Sequence, residues 1–174
     1  MINYRRKEFC DRICRIIQAV VFSSLFFYPA YGQEPPPRPI TVTVTSQQLS
    51  FGAFTMGSSG GSVTINPDGT RASTGDVILL SLGYTYSAAL IEITGNAGTV
   101  VSVLNGPDVT LPGSGGGSMV LTLGASSPAS PFVIPSDPPV PLLLYIGGSL
   151  GVGPPASNPP GNYSGTFNIT FIQE

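Results

Sequence analysis

The chain is 174 residues long, 41% hydrophobic and 9% charged, with seven Lys or Arg, nine Asp or Glu, and no His or Trp. Neutralising nucleic-acid phosphates or an anionic membrane surface takes clustered Lys and Arg, and beyond residue 15 only Arg38 and Arg71 remain, which speaks against both partners for the body of the chain. The length suits one domain with its own core, while 22 Gly and 18 Pro raise low complexity as the competing class.

The chain opens with Arg5, Arg6, Lys7, Arg12 and Arg15, followed by an apolar run over 16–27 that ends in Tyr28-Pro29-Ala30-Tyr31-Gly32-Gln33. A basic head, an apolar stretch of about 7 to 15 residues and small residues at the two positions the peptidase inspects make a secretory signal peptide. Cleavage is expected between Gly32 and Gln33, which divides the chain into a signal (1–32), a leader (33–39) and a single domain (40–174). A spanning helix needs about 20 apolar residues, whereas this run holds Gln18, Ser23 and Ser24 and stops at Pro29, so no membrane span is expected after cleavage. Cys10 and Cys14 leave with the signal, and the exported chain must then be held by its hydrophobic core without a disulfide. It keeps Arg38 and Arg71 against seven carboxylates, a net charge of −5. The expected location is the periplasm, the cell surface or the exterior.

The leader, with Pro35, Pro36, Pro37 and Pro39, is expected to be extended and stiff. Beyond it the apolar residues fall in short runs rich in Val, Ile, Thr, Tyr and Phe, with Gly and Pro between them, and no stretch keeps a helical period. The runs predict strands over 40–45, 49–54, 62–66, 77–82, 89–94, 100–104, 119–123, 142–146 and 163–172. Shorter pieces at 109–111 and 132–134 complete a set of about ten. Such a series predicts an all-β fold, an antiparallel immunoglobulin-like β-sandwich. In the first strand Ile40, Val42 and Val44 alternate with threonines. In the last, Tyr163, Phe167, Ile169 and Phe171 share one face, expected to be the core face. Asn66-Pro67-Asp68-Gly69 reads as a tight turn, with Pro67 setting φ and Gly69 free to take φ > 0. The stretches 113–118, 128–141 and 153–161 read as loops.

The inventory of reactive side chains argues against catalysis. After export the chain has no His, Cys, Lys or Trp, which removes the usual general base, the thiol nucleophile, the Schiff-base amine and the best metal ligands. A carboxylate pair would be the remaining route. Yet Asp68, Asp76, Asp108 and Asp137 each stand beside Gly or Pro, where a turn accounts for them. Calcium would want several oxygen ligands from one loop, and 66–70 offers only Asn66 and Asp68 as side chains of that kind. The glycine run 113–118 lacks the Gly-Lys-Ser/Thr ending of a phosphate loop. Arg71 is placed to pair with Asp68 or Asp76. No catalytic, cofactor or metal site is expected, and no cofactor.

Four stretches carry a resemblance: Leu49-Ser50-Phe51-Gly52; Gly61-Ser62-Val63-Thr64-Ile65 running into Asn66-Pro67-Asp68-Gly69-Thr70; Tyr145-Ile146-Gly147-Gly148-Ser149-Leu150; and Gly161-Asn162-Tyr163-Ser164-Gly165-Thr166-Phe167-Asn168-Ile169-Thr170-Phe171. In this order they resemble a family of secreted bacterial domains of unknown function. That family is in turn similar to the spore coat protein U and archaic chaperone–usher pilin group. The resemblance implies a surface fibre subunit or coat component whose open groove is filled by an extended strand from the next subunit. Ile40, Val42 and Val44 have the spacing of such an assembly strand. The chain departs from many pilins of that group in having no cysteine available for a disulfide near its first strands.

Two functional readings follow. The first is an exported structural or adhesive surface protein, pilus-like, with itself or related subunits as partner. The second is a stand-alone binding module for a surface glycan or protein, with Tyr84, Tyr86 and Tyr145 as aromatic candidates. A self-complete monomer, in which 40–44 pairs within its own sheet, competes with the fibre.

Overall fold

The alternation of β-branched and polar residues sets up strands, and the Gly and Pro between them set the turns. A computed structural model describes residues 38–174, which close into one compact unit. The expected signal cleavage site at Gly32 and Gln33, and the leader as far as residue 37, lie outside the described residues. The fold is all-β and antiparallel, as expected. Its strands are β1 (Thr41–Val44), β2 (Ser50–Phe51), β3 (Phe54–Ile65), β4 (Arg71–Leu79), β5 (Tyr86–Ser87), β6 (Ala89–Thr94), β7 (Val100–Asn105), β8 (Val109–Pro112), β9 (Ser118–Ser127), β10 (Phe132–Val133), β11 (Leu142–Val152) and β12 (Ile169–Gln173).

These strands make three sheets. A seven-stranded sheet runs β1-β6-β11-β3-β4, with β9 on the other edge of β11 and β8 beyond it. A second sheet has the order β10-β7-β12, and β2 pairs β5 in a third. The centre of the large sheet is β11. One edge pairs β6 through 142–146 and then β3 through 148–152, while the other pairs β9. The handover falls at Gly147, where a Cβ would meet the Ile65 carbonyl oxygen at 2.3 Å. Only glycine lets the end of β3 approach so closely.

Several boundaries differ from the sequence reading. β4 begins at Arg71 rather than 77, and β3 reaches back to Phe54. The added part of β4, residues 71–76, is polar and largely exposed, and the added part of β3 runs through an irregularity between Met56 and Gly61, so neither carries a regular apolar alternation. They are strands because the hairpin turn pairs them. The Gly69 amide donates to the Asn66 carbonyl at 2.9 Å with Gly69 at φ 82°, as the turn chemistry predicts. The last strand is shorter than expected: 163 makes an isolated bridge to Gly113, and regular pairing starts only at Ile169. The 113–118 segment is an ordered hairpin turn between β8 and β9, closed by the Gly113 amide on the Gly117 carbonyl at 3.1 Å.

Burial follows two clusters. One gathers Phe51, Val63, Ile65, Val77, Leu121 and Leu150 from β2, β3, β4, β9 and β11. The other joins Ile91, Ile93, Leu144 and Ile146 of the large sheet to Val101, Phe132 and Ile134 of the three-stranded sheet and the segment after it. Leu49, Phe167 and Ile169 pack against both and make them continuous.

Candidate functional site: a seam between two edge strands

β1 ends one side of the large sheet and among the described residues pairs β6 alone, with Val42 opposite Ile93 and Val44 opposite Ile91. Directly opposed residues of an antiparallel pair share a face, so both valines look toward the core side. Ile93 and Ile91 are buried, yet Val42 is 37% exposed and Val44 77%. The core-side face of β1 is therefore left uncovered. Apolar area in water costs about 25 cal/mol per Å2, which makes this an unsatisfied surface rather than a neutral one.

β12 is the corresponding edge of the three-stranded sheet, and among the described residues it pairs β7 alone. Its inward residues Ile169 and Phe171 are only half-buried, although they pack on the core clusters. Phe167 packs there too and is half-buried. The two edges meet at one end. The Ile40 amide donates to Gln173 Oε1 at 3.1 Å, and Gln173 Nε2 donates to the Arg38 carbonyl at 3.0 Å. Ile40 lies half-buried against the second cluster at that tie. Away from it the structure presents Val42 and Val44 on one edge, half-covered Ile169 and Phe171 on the other, and the unpaired backbone of β12.

The structure thus brings Ile40 together with the end of β12, and sets Phe167, Ile169 and Phe171 along the core. Tyr163 stands apart. Its hydroxyl donates to the Pro159 carbonyl at 2.6 Å, and its ring packs on the first cluster. Of the three aromatic candidates, Tyr86 and Tyr145 line one cleft, whereas Tyr84 is exposed outside it.

Four of the acidic side chains accept hydrogen bonds within the fold. Asp68 accepts from the Thr70 amide and hydroxyl, Asp137 from the Ala97 amide, Asp76 from the Ser59 amide and Glu174 from the Ser102 hydroxyl. The Thr70 hydroxyl and then its amide hold the Asp68 carboxyl below its ordinary value. Arg71 does not make the expected ion pair with Asp68 or Asp76. Its guanidinium donates to the carbonyls of Phe51, Ala53 and Leu80 at 3.0, 3.3 and 3.3 Å and sits 4.3 Å from the centre of the Tyr86 ring. A lone cation with three carbonyls within reach needs no carboxylate. Among the described residues no three His, Cys, Asp or Glu side chains are grouped to hold a metal ion, and no helix is long and apolar enough to cross a membrane.

A family model described as a domain of unknown function, DUF4402, matches residues 40–172. The chain belongs to the DUF4402 family. The matched stretch takes in all of β1 of this DUF4402 domain and β12 except its last residue, Gln173. No curated protein and no solved structure matches the chain.

The seam was only half legible beforehand. Alternation at both ends of the chain marked Ile40, Val42, Val44, Phe167, Ile169 and Phe171. That the two strands would be sheet edges tied together at one end depends on sheet order, which no local signal in the sequence encodes.

Proposed function

We propose that this chain is an exported, non-catalytic subunit of a surface structure, structural or adhesive, that assembles by strand addition along the seam. The observation that carries the reading is the uncovered core-side face of Val42 and Val44 beside a β12 edge with no partner among the described residues. An extended strand laid there would pair the free backbone of β12 and cover apolar side chains that the monomer leaves in water. The occupant is the amino-terminal stretch of a second copy, with the proline-rich leader as the joint between subunits. The similarity to spore coat protein U and the archaic pilins, with their immunoglobulin-like sandwiches, supports the same reading. The site of action is the cell surface or the periplasm on the way to it.

The experiment is electrophoresis of the exported protein without heating. A ladder is expected that collapses to monomer on boiling and is missing when residues 33–45 are deleted. A single monomer band at every concentration, with the same hydrodynamic radius as the deletion variant, overturns the proposal.

A second reading, a stand-alone module that binds a glycan or protein, is favoured by one separate observation: a cleft that gathers two tyrosines and a carboxylate away from the seam.

A further inference from the structure

Five separated stretches of chain converge on a cleft of about 440 Å3. Gln47 comes from the connection before β2, Asp68 from the β3–β4 turn, Tyr86 from β5, and Ser127 and Tyr145 from the adjacent ends of β9 and β11. The volume falls within the range of small-ligand sites. Two aromatic rings with an amide, a carboxylate and hydroxyls around them are a mixed lining, suited to a ligand that is itself part apolar and part hydroxyl.

The polar groups are held with one acceptor free. Gln47 Nε2 donates to the Ala88 carbonyl at 3.0 Å, which fixes the amide and leaves Oε1 as its acceptor. Both bonds from Thr70 fall on Asp68 Oδ1, at 2.9 and 2.7 Å, so Oδ2 is open. Those bonds also keep the carboxyl ionised well into mild acid. Tyr86 is held from behind. β2 pairs it opposite Phe51, and the Arg71 guanidinium lies over its ring while itself bound to three carbonyls. One ring face is thereby occupied and oriented, and Tyr86, 47% exposed, lines the cleft.

We propose that this cleft is a binding site for a neutral saccharide. The C–H face of a pyranose stacks on the Tyr86 ring, its hydroxyls donate to Asp68 Oδ2 and Gln47 Oε1, and Tyr145 and Ser127 bound the far wall. Sugars bearing carboxylates are disfavoured because Asp68 is the one charged group lining the cleft. Arg71 is a positioning residue that acts through Tyr86. The proposal rests on the second reading for its premise that the domain binds a ligand, and it is independent of assembly at the seam.

The test is a titration of the 15N-labelled exported protein with methyl β-D-glucopyranoside, methyl β-D-galactopyranoside, methyl α-D-mannopyranoside and sodium glucuronate, followed by amide shifts. At least one neutral glycoside is expected to move Gly69, Ser127 and the Gln47 side-chain amide, and glucuronate to bind more weakly than the corresponding glucoside. Tyr86→Ala, at a half-exposed position that tolerates truncation, should weaken binding about tenfold, the loss of one good stacking contact. Tyr86→Phe should restore it, Asp68→Asn should weaken it, and Tyr84→Ala should leave it unchanged. No shift at these groups with any neutral glycoside, or binding that is indifferent to Tyr86→Ala, overturns the site. Saccharide shifts confined to another face would keep the second reading and sink this one. The unheated gel, run on the same samples, reports assembly separately.

Discussion

Among single residues, Asn158 stands out as the buried polar side chain, 2% exposed. It accepts from the Gly153 amide and donates to the carbonyls of Ser118 and Ser157. The crossing closes one turn on itself, the Ser157 and Asn158 amides donating to the Pro154 carbonyl, and the Asn158 side chain fastens that turn to the start of β9. Asn158→Ala leaves the Gly153 amide and the Ser118 carbonyl unpaired and is expected to lower stability by about 1 to 3 kcal/mol, read from the urea midpoint. Asp68 gives a second prediction. Its carboxyl is depressed by the Thr70 hydroxyl and amide, so its contribution to the turn is present above the unfolded value, near 3.8, and is lost as pH falls through the lower folded value. Thr70→Val removes the larger cause. The Asp68 titration followed by carboxyl NMR is then expected to move up toward the ordinary value, and the variant to lose less stability on acidification than the parent. The turn itself was legible in Asn66-Pro67-Asp68-Gly69 because its chemistry is local. The Asn158 clasp was not, since its partners are set by tertiary placement.

For the elements, legibility tracks burial. β6 and β7 were readable nearly to the residue because Ile91, Ile93 and Val101 are buried and their neighbours are not. The outer half of β4 has no such contrast, and β5 is a two-residue piece that exists only because Ser50 and Phe51 pair with it. The most consequential element is β11, whose Leu144 and Ile146 are fully buried. Leu144→Ala is expected to cost about 2 to 5 kcal/mol in equilibrium unfolding. Gly147→Ala places a methyl against the end of β3 and should be as damaging despite adding one carbon. At Gly98, where φ is 86° and no atom lies within 4 Å of a built Cβ, the same change should cost only the backbone term of about 1 to 2 kcal/mol.

At the scale of the molecule, strand addition couples folding to association. If a second copy covers Val42, Val44 and the β12 edge, the melting temperature should rise with protein concentration, because a partner that binds only the native state stabilises it by mass action. Val44→Lys, at a position 77% exposed, should abolish that dependence while leaving the dilute melting temperature nearly unchanged. Differential scanning calorimetry over a hundredfold concentration range checks both. The all-β class followed from composition and spacing. The three-sheet arrangement did not, because it depends on which distant strands β11 chooses.

Because β11 is contributed by residues 142–152 yet lies between β6, β3 and β9, nothing made earlier in the chain can close the large sheet without it. The β3–β4 hairpin, the β1–β6 pair and the β8–β9 hairpin are fragments waiting for one late piece. A polypeptide made from its amino end therefore carries bare ladders for most of its synthesis. Commitment to the native state comes in the last fifth of the chain, and a nascent chain stalled before residue 142 would be sticky, protease-sensitive and in need of an escort.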